Sequence, residues 1–315
     1  MTHSAQRPTI MGTRHMIASG HYLATTAGFE ILQAGGNAID AGICAGLAIS
    51  VLESAYVAFA GVAPMTIYLR DSGRVITISG LGTWPKAASC ELFQTQHGGQ
   101  IPKGILRTVV PAAPDAWLVA LRDYGTMSFG DVVASAISLA RDGFAMYPLM
   151  ADTLRFFAAD IAAYPSSAAI YLPGGVAPEV GQVFRQLDLA ATLRFMADQE
   201  SAAASRGRAA GIDAARDAFY RGDIAAKIAN LHRDNGGLVT RDDLAEYRTE
   251  IEPALRSRFA GIDIYGCGPW WPKSAVRIGC PGPPRHRCFE QRRTGNGRGF
   301  PGRQRQSRRC AAGAG

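Results

Sequence analysis

Residues 22–53 read YLATTAGFEILQAGGNAIDAGICAGLAISVLE, and their pattern decides the fold. Leu23, Ala27, Ile31 and Ala34 recur at helical spacing and predict a helix over 22–34. Gly35-Gly36 ends it, because glycine enters the left-handed C-cap conformation without a Cβ clash. Asn37 is placed to cap the next helix, and Asp40 falls in its first turn, where a carboxylate complements the helix dipole. That second helix, over 38–52, is apolar on most of its faces, so it belongs inside a layered structure. Its apolar run, 41–52, stops at Glu53, short of the roughly 18 residues a membrane crossing needs. It reads as a buried core helix, with no membrane partner.

Working outward, Met65–Leu69 and Arg74–Ile78 alternate with period two around Asp71-Ser72-Gly73, the pattern of a β-hairpin. Residues 105–112 read as a strand leading to a turn bounded by Pro111 and Pro114. From about 115 to 230 the chain is mainly helical, rich in alanine and interrupted by proline and glycine. Thr240 starts a further helix, with Asp243 at the capping-box position. Arg258–Tyr265 reads as a last strand. The class is α/β (α+β).

The chain has 315 residues, 47% hydrophobic and 19% charged, which excludes a fully disordered chain, a collagen-like fibre and a small disulfide scaffold. The net charge of +7 is unevenly spread. Residues 273–315 hold 11 of the 33 Lys+Arg and one of the 26 Asp+Glu, which leaves 22 basic and 25 acidic residues in 1–272. The body is mildly acidic, against a nucleic-acid-binding surface there. The stretch 273–315 has ten arginines, eight glycines, four prolines and no leucine, so it is expected to be disordered. The six cysteines form no CxxC pair and read as free thiols. With no secretory signal at the N-terminus, the expected location is cytoplasmic.

Ala27-Gly28-Phe29-Glu30-Ile31-Leu32, Gly35-Gly36-Asn37-Ala38-Ile39-Asp40-Ala41 and Val51-Leu52-Glu53 resemble the start of the γ-glutamyltransferase (γ-glutamyltranspeptidase) family. Further blocks follow in the family's order: Arg107-Thr108-Val109-Val110-Pro111, Leu139-Ala140-Arg141-Asp142-Gly143-Phe144, Phe219-Tyr220-Arg221-Gly222-Asp223-Ile224-Ala225, and Gly236-Gly237-Leu238-Val239-Thr240 with Asp243-Leu244 and Tyr247. The resemblance covers about 11–270. It implies a four-layer αββα N-terminal-nucleophile hydrolase sandwich, here incomplete, and a proenzyme that cleaves itself. The freed N-terminal threonine of a small subunit then attacks an amide carbonyl, its own α-amino group acting as base. It implies no cofactor. The substrate expected of the intact relative is a γ-glutamyl compound or a small amide such as oxamate.

Two departures from the family shape the expectations. The first is that no catalytic residue is assigned. Thr25-Thr26 is the only Thr-Thr pair and lies within the first helix, and Thr294 has no apolar frame around it. Residues 1–271 therefore read as the large-subunit portion, with the small subunit as a missing partner. Residues 272–315 read as a basic, out-of-frame tail: loss of one G from the Trp271 codon leaves a cysteine codon, and the following codons permit a family-like Pro-Trp-Cys-Gln-Ser-Pro turn.

The second departure concerns substrate. Many family members carry an Arg-Glu-x-Ala-Pro block after the hairpin, whose arginine holds the substrate α-carboxylate. The matching stretch here is Leu81-Gly82-Thr83-Trp84-Pro85, which puts Leu81, the candidate substrate-binding residue, where that arginine would be. Arg74 and Lys86 are near in sequence, but neither fits the block.

Arg292-Arg293, Arg298, Arg303, Arg305 and Arg308-Arg309 form an Arg/Gly-rich segment of the kind that binds nucleic acid, the alternative function. Cys280, His286, Cys288 and Cys310 lack zinc-site spacing, so no metal is expected. His15 and His21 read as surface or satisfied histidines rather than bases.

Overall fold

The computed structural model describes residues 10–268 and 270. The expectations for 272–315, together with Thr294 and Cys280, His286, Cys288 and Cys310, lie outside the described residues.

Helix α1 (Tyr22–Gln33) ends at the glycine pair as its sequence predicts, with Gly35 at φ +94°. Helix α2 (Ala38–Leu52) opens on a capping box. The Asn37 side chain accepts from the amides of Ile39 and Asp40 at 2.8 and 3.1 Å, and the Asp40 carboxylate accepts from the Asn37 amide at 2.8 Å. Asp40 has a wider role than a cap. It is wholly buried and also accepts from the Thr126 hydroxyl at 2.7 Å and from the amides of Thr126 and Met127. One carboxylate thus ties the start of α2 to a turn 86 residues away. Ile43, Cys44, Leu47, Ala48, Val51 and Leu52 are buried, so α2 is the centre of the core, as its apolar faces predict.

Strands β1 (Met65–Leu69) and β2 (Arg74–Ile78) form the predicted hairpin, with Ile67 opposite Ile76. The helical region follows: α3 (Cys90–His97), α4 (Ala113–Tyr124), α5 (Phe129–Asp142), the two-residue β3 (Phe144–Ala145), α6 (Pro148–Phe156), α7 (Ala158–Ala162) and α8 (Pro165–Tyr171). After β4 (Val183–Phe184), which pairs with β3, come α9 (Leu187–Ala203), α10 (Arg208–Tyr220), α11 (Asp223–Asp234) and α12 (Arg241–Glu246). Helices α1, α4 and α5 pack on α2, α9 packs on α5, and α10 bridges α9 to α4. Buried Glu200 of α9 accepts from the amides of Phe129 and Gly130, both at 2.6 Å, and so closes the N-terminus of α5. Burial pushes its pKa up, opposed by those two amides. Helix α12 starts at Thr240 with the predicted capping box to Asp243.

The chain ends its described part with β5 (Ile251–Pro253), β6 (Leu255–Phe259) and β7 (Ile262–Gly266). Strand β5 joins the hairpin in a three-stranded antiparallel sheet of order β1-β2-β5, whose inner face carries Ile67, Ile76 and Ile78. Strands β6 and β7 form a separate hairpin. Leu255, Phe259, Ile262 and Ile264 lie on one of its faces by register, and all four are exposed.

Two expectations need correction. Residues 105–112 are not a strand: Ile105–Arg107 is a 3-10 turn, and 108–112 lies outside any ladder. Pro111 has no N–H to donate, and the stretch makes a single backbone bond to the 79–86 loop, from Val110 to Thr83. The last strand, Arg258–Tyr265, is two strands joined by a turn at Ala260-Gly261. Both turn residues have positive φ, +48° and +82°, as a tight hairpin turn requires. Alternation alone ran through this two-residue turn without registering it.

His21 and His232 are buried, and each accepts a backbone hydrogen bond on Nδ1, from Leu23 at 3.2 Å and from Val239 at 3.3 Å. Burial lowers the pKa of both. The unfolded chain takes up these protons near about pH 6.5, whereas the folded chain resists until lower pH. The stability they contribute is complete above that value and is lost as pH falls from there through the lower pKa values of the folded chain. The expected outcome is a melting temperature that drops between pH 7.5 and 5.5, with a shallower drop in the His21→Gln/His232→Gln double variant; equal slopes would assign the acid sensitivity to other groups. Asp40→Ala should cost about 3–5 kcal/mol in urea unfolding, because several buried amides lose their acceptor together. Asp131→Ala, at an exposed cap, should cost about 1 kcal/mol or less.

Candidate substrate-binding site

The loop Ser79–Lys86 leaves β2 and is held on every side by backbone. The Ser79 amide donates to Glu250 O at 2.9 Å, Gly80 O accepts from Ala63 N at 2.8 Å, and Thr83 O accepts from Val110 N at 2.9 Å. The Lys86 amide donates to Asp243 Oδ1 at 2.9 Å. Burial alone would raise the Asp243 pKa, but this bond and those from Thr240 hold the carboxylate below its usual range. Gly80 and Gly82 both lie in the left-handed region, at φ +50° and +76°. A Cβ on Gly82 would stand 2.2 Å from Val110 O, and one on Gly80 2.4 Å from Ala63 O. Glycine is required at both positions by conformation and by space.

Leu81 sits half-buried between these glycines. The basic residues near it in sequence are committed elsewhere. Arg74 is at the turn end of β2, opposite Leu69, so the strand carries it about 13 Å from Ile78 at its other end. Lys86 Nζ binds Glu246 at 2.6 Å in the open. Arg107, from one of the family-like blocks, donates from Nε and Nη2 to Ile101 O at 3.2 and 3.0 Å. At position 81 itself the side chain is a half-buried isobutyl group.

Both flanks of this loop are anchored in one buried polar network. Asp115, in the first turn of α4, is wholly buried and accepts from Arg216 Nε of α10 and from the Thr249 amide at 2.6 Å. Arg216 Nη2 donates to Tyr247 O at 2.6 Å, and its guanidinium lies over the Tyr220 ring, 4.9 Å from the centroid. The Tyr220 hydroxyl donates to Pro111 O at 2.7 Å and accepts from the Asp115 amide at 3.1 Å. Burial pushes the Tyr220 phenol well above its ordinary pKa, and Tyr247 is raised by the same cause. Pro111 follows Val110, which binds Thr83, and Thr249 precedes Glu250, which binds Ser79. The network thus fixes two of the segments that hold the loop.

The sequence reading missed Asp115 and Arg216. A signal was present for one of them: Arg216 precedes Tyr220 by one helical turn and shares its face. Thr25 and Thr26 lie in mid-helix, with hydroxyls directed to His21 O at 3.4 Å and Tyr22 O at 3.0 Å, as the structural reading of that pair expected. His15 packs edge-on against Phe29. Among the described residues there is no cluster of three metal-ligating side chains, and no helix is long and apolar enough to cross a membrane.

A groove of about 770 Å³ runs between the small-residue face of α2, including Gly42 and Gly46, and the open edge strand β1. Its lining is mainly apolar.

Residues 24–276 match the family model described as gamma-glutamyltranspeptidase. The acylase ACY 1 proenzyme of a Pseudomonas species is 32% identical over 276 residues, covering 84% of this chain and 47% of the relative. The glutathione hydrolase proenzyme of Escherichia coli is 30% identical over 259 residues, covering 81% of this chain and 42% of the relative. The crystal structure of Helicobacter pylori gamma-glutamyltranspeptidase superimposes with a TM-score of 0.76 at 27% identity, over 85% of this chain and 73% of that one. The chain spans about half the length of the curated relatives it matches. Its helices and sheet form part of the αββα N-terminal-nucleophile hydrolase fold, and the chain belongs to the gamma-glutamyltranspeptidase family.

Proposed function

We propose that this chain supplies the large-subunit portion, residues 1–271, of a self-processing amide hydrolase or acyltransferase, and that its substrate lacks the free α-carboxylate of a γ-glutamyl group. The observation that carries the substrate reading is Leu81, set by two left-handed glycines where the family's carboxylate-binding arginine would stand. An aliphatic side chain cannot form the bidentate, charge-assisted pair that a carboxylate requires. It can pack against an acyl chain or a small amide.

The nucleophile belongs to a second portion, which also covers the apolar groove along α2 and β1. A threonine hydroxyl there attacks the amide carbonyl while the α-amino group takes its proton. The amine leaves with that proton, and water or a second amine then releases the acyl group. The 32% identity to an acylase proenzyme supports this reading, and the 30% identity to a glutathione hydrolase proenzyme keeps the γ-glutamyl reading as the second. A cytoplasmic location is part of the same proposal.

We further propose that residues 272–315 are an out-of-frame translation, on the strength of the charge break at 273 and the codon fit at Trp271. Sequencing the locus through the codons for Trp270–Cys280 and beyond should reveal a family-like reading frame downstream; its absence from every frame would overturn this. In the protein restored to that frame, activity should favour simple acyl amides over a γ-glutamyl anilide. Leu81→Arg should raise kcat/KM for the γ-glutamyl anilide by about tenfold or more, the worth of a charge-assisted pair. A wild-type preference for the γ-glutamyl substrate, unchanged by Leu81→Arg, would sink the substrate reading.

A further inference from the structure

We propose that the groove between α2 and β1 receives a strand of the second portion, paired to the open edge of β1. Its inward side chains are apolar except for one hydrogen-bond acceptor, which meets the indole N–H of Trp117. The inference rests on the reading above that a second portion covers this groove. It adds what kind of segment enters and which contact selects it.

The edge itself calls for a strand. Among the described residues β1 has a neighbour, β2, on one side only. Successive residues of an antiparallel pair turn their backbone groups to opposite edges. The Ala63 amide donates to Gly80 O, in register with the Met65–Ile78 and Ile67–Ile76 pairs. Met65, Ile67 and Leu69 therefore bond to β2, and Thr66 and Tyr68 turn N–H and C=O to the open side. Edges that stay unpaired are protected by a charge, an internal proline or a bulge. Met65–Leu69 has none of these. Beside it α2 presents Gly42, Ala45 and Gly46, and a Cβ on Gly42 would meet nothing within 4 Å. That space takes the inward side chains of an added strand.

Trp117 sets the chemistry of that strand. The residue, in α4, is only 5% exposed and lines the groove. Its ring edge lies behind Gly46, where a Cβ would stand 3.2 Å from Nε1, so glycine leaves the N–H in view of the groove. That N–H makes no hydrogen bond among the described residues. Nε1 is also not sealed from solvent: the sealed, unpartnered side-chain atoms there are Ser54 Oγ and Asp263 Oδ1. A donor set this deep is normally paired, and an indole N–H can only donate. The carbonyls of an added strand lie in the plane of the sheet, so an inward Ser, Thr, Asn or Gln must supply the acceptor. A second copy of this chain does not meet the demand. Twofold pairing of β1 with β1 keeps Met65, Ile67 and Leu69 inward, and none of them carries an oxygen or nitrogen acceptor. The missing length does: this chain covers 47% of the acylase proenzyme, which leaves half a protein to provide the strand.

The test is calorimetric titration of the full 315-residue chain with strand peptides. The probe is Ac-Lys-Ile-Lys-Thr-Lys-Ile-Lys-NH2, with Thr central on its apolar face. One control replaces Thr by the near-isosteric Val, and another N-methylates the amides that would face β1. The Thr peptide should bind about tenfold tighter than the Val peptide, the worth of one well-formed hydrogen bond, and the methylated peptide should not bind. Trp117→Phe, which removes the N–H, and Gly46→Ala, which closes the view to it, should each erase the Thr advantage. Circular dichroism confirms that both variants fold, and Trp117→Phe should leave the melting temperature of the 315-residue chain unchanged. Equal affinities, no binding at millimolar concentration, an advantage that survives both variants, or a dimer by ultracentrifugation that excludes the peptide would overturn the inference. The two readings fail separately. Peptide binding as expected with no family-like frame downstream would keep the strand site and remove the second portion. A downstream frame with no Thr preference would do the reverse.

Discussion

Asp115 is wholly buried and Arg216 nearly so, and neither tolerates the loss of the other. Removing one partner of such a pair leaves a buried charge uncompensated, at a cost of about 3–5 kcal/mol. The pair therefore demands that α4, α10 and the 247–249 segment arrive together. Tyr220 extends the demand to Pro111, and through the neighbouring residues it reaches the loop that carries Leu81. Asp40 and Glu200 apply the same device elsewhere: a buried carboxylate whose lone pairs are filled by backbone amides of a distant segment. Hydrophobic burial gives this fold its bulk, but these carboxylates choose its arrangement.

What was legible in the sequence follows from the range of the interaction that writes it. The end of α1 at Gly35, the N-cap at Asn37, the β1–β2 hairpin and the cap at Thr240 are each settled within a few residues, and each stands as read. Asp40 was legible as a first-turn acid but not as the acceptor for Thr126, since nothing local links positions 86 residues apart. Strand β5 escaped because three residues ending in proline carry no periodicity, and it exists only through its pairing with β2. The misreading of 105–112 has the converse cause: an apolar run has strand character, but Pro111 and the 3-10 turn before it deny it a ladder.

The candidate site was legible by resemblance rather than by local physics. Leu81 stood out only because a family block places arginine there. The left-handed glycines on either side show that the position is held in a defined conformation, which a loosely tethered leucine would not be. In the reading proposed above, leucine there alters chemistry without altering the frame: the backbone cradle offers apolar surface in place of charge.

The pairing of β2 with β5 also bears on how the chain reaches this structure. Thr77 and Glu252 are 175 residues apart, and Asp115 meets Thr249 across 134. During synthesis α1, α2, α4 and α5 can collapse on one another as they emerge. The inner face of the hairpin must then wait, uncovered on its β5 side, until almost the whole described chain has left the ribosome. Contacts of such sequence separation form slowly, and apolar strand surface exposed in the interval is open to misassociation. The protein's most vulnerable moment is thus set by translation time, and a slower ribosome or an absent chaperone would lower its yield before any change to the finished fold could.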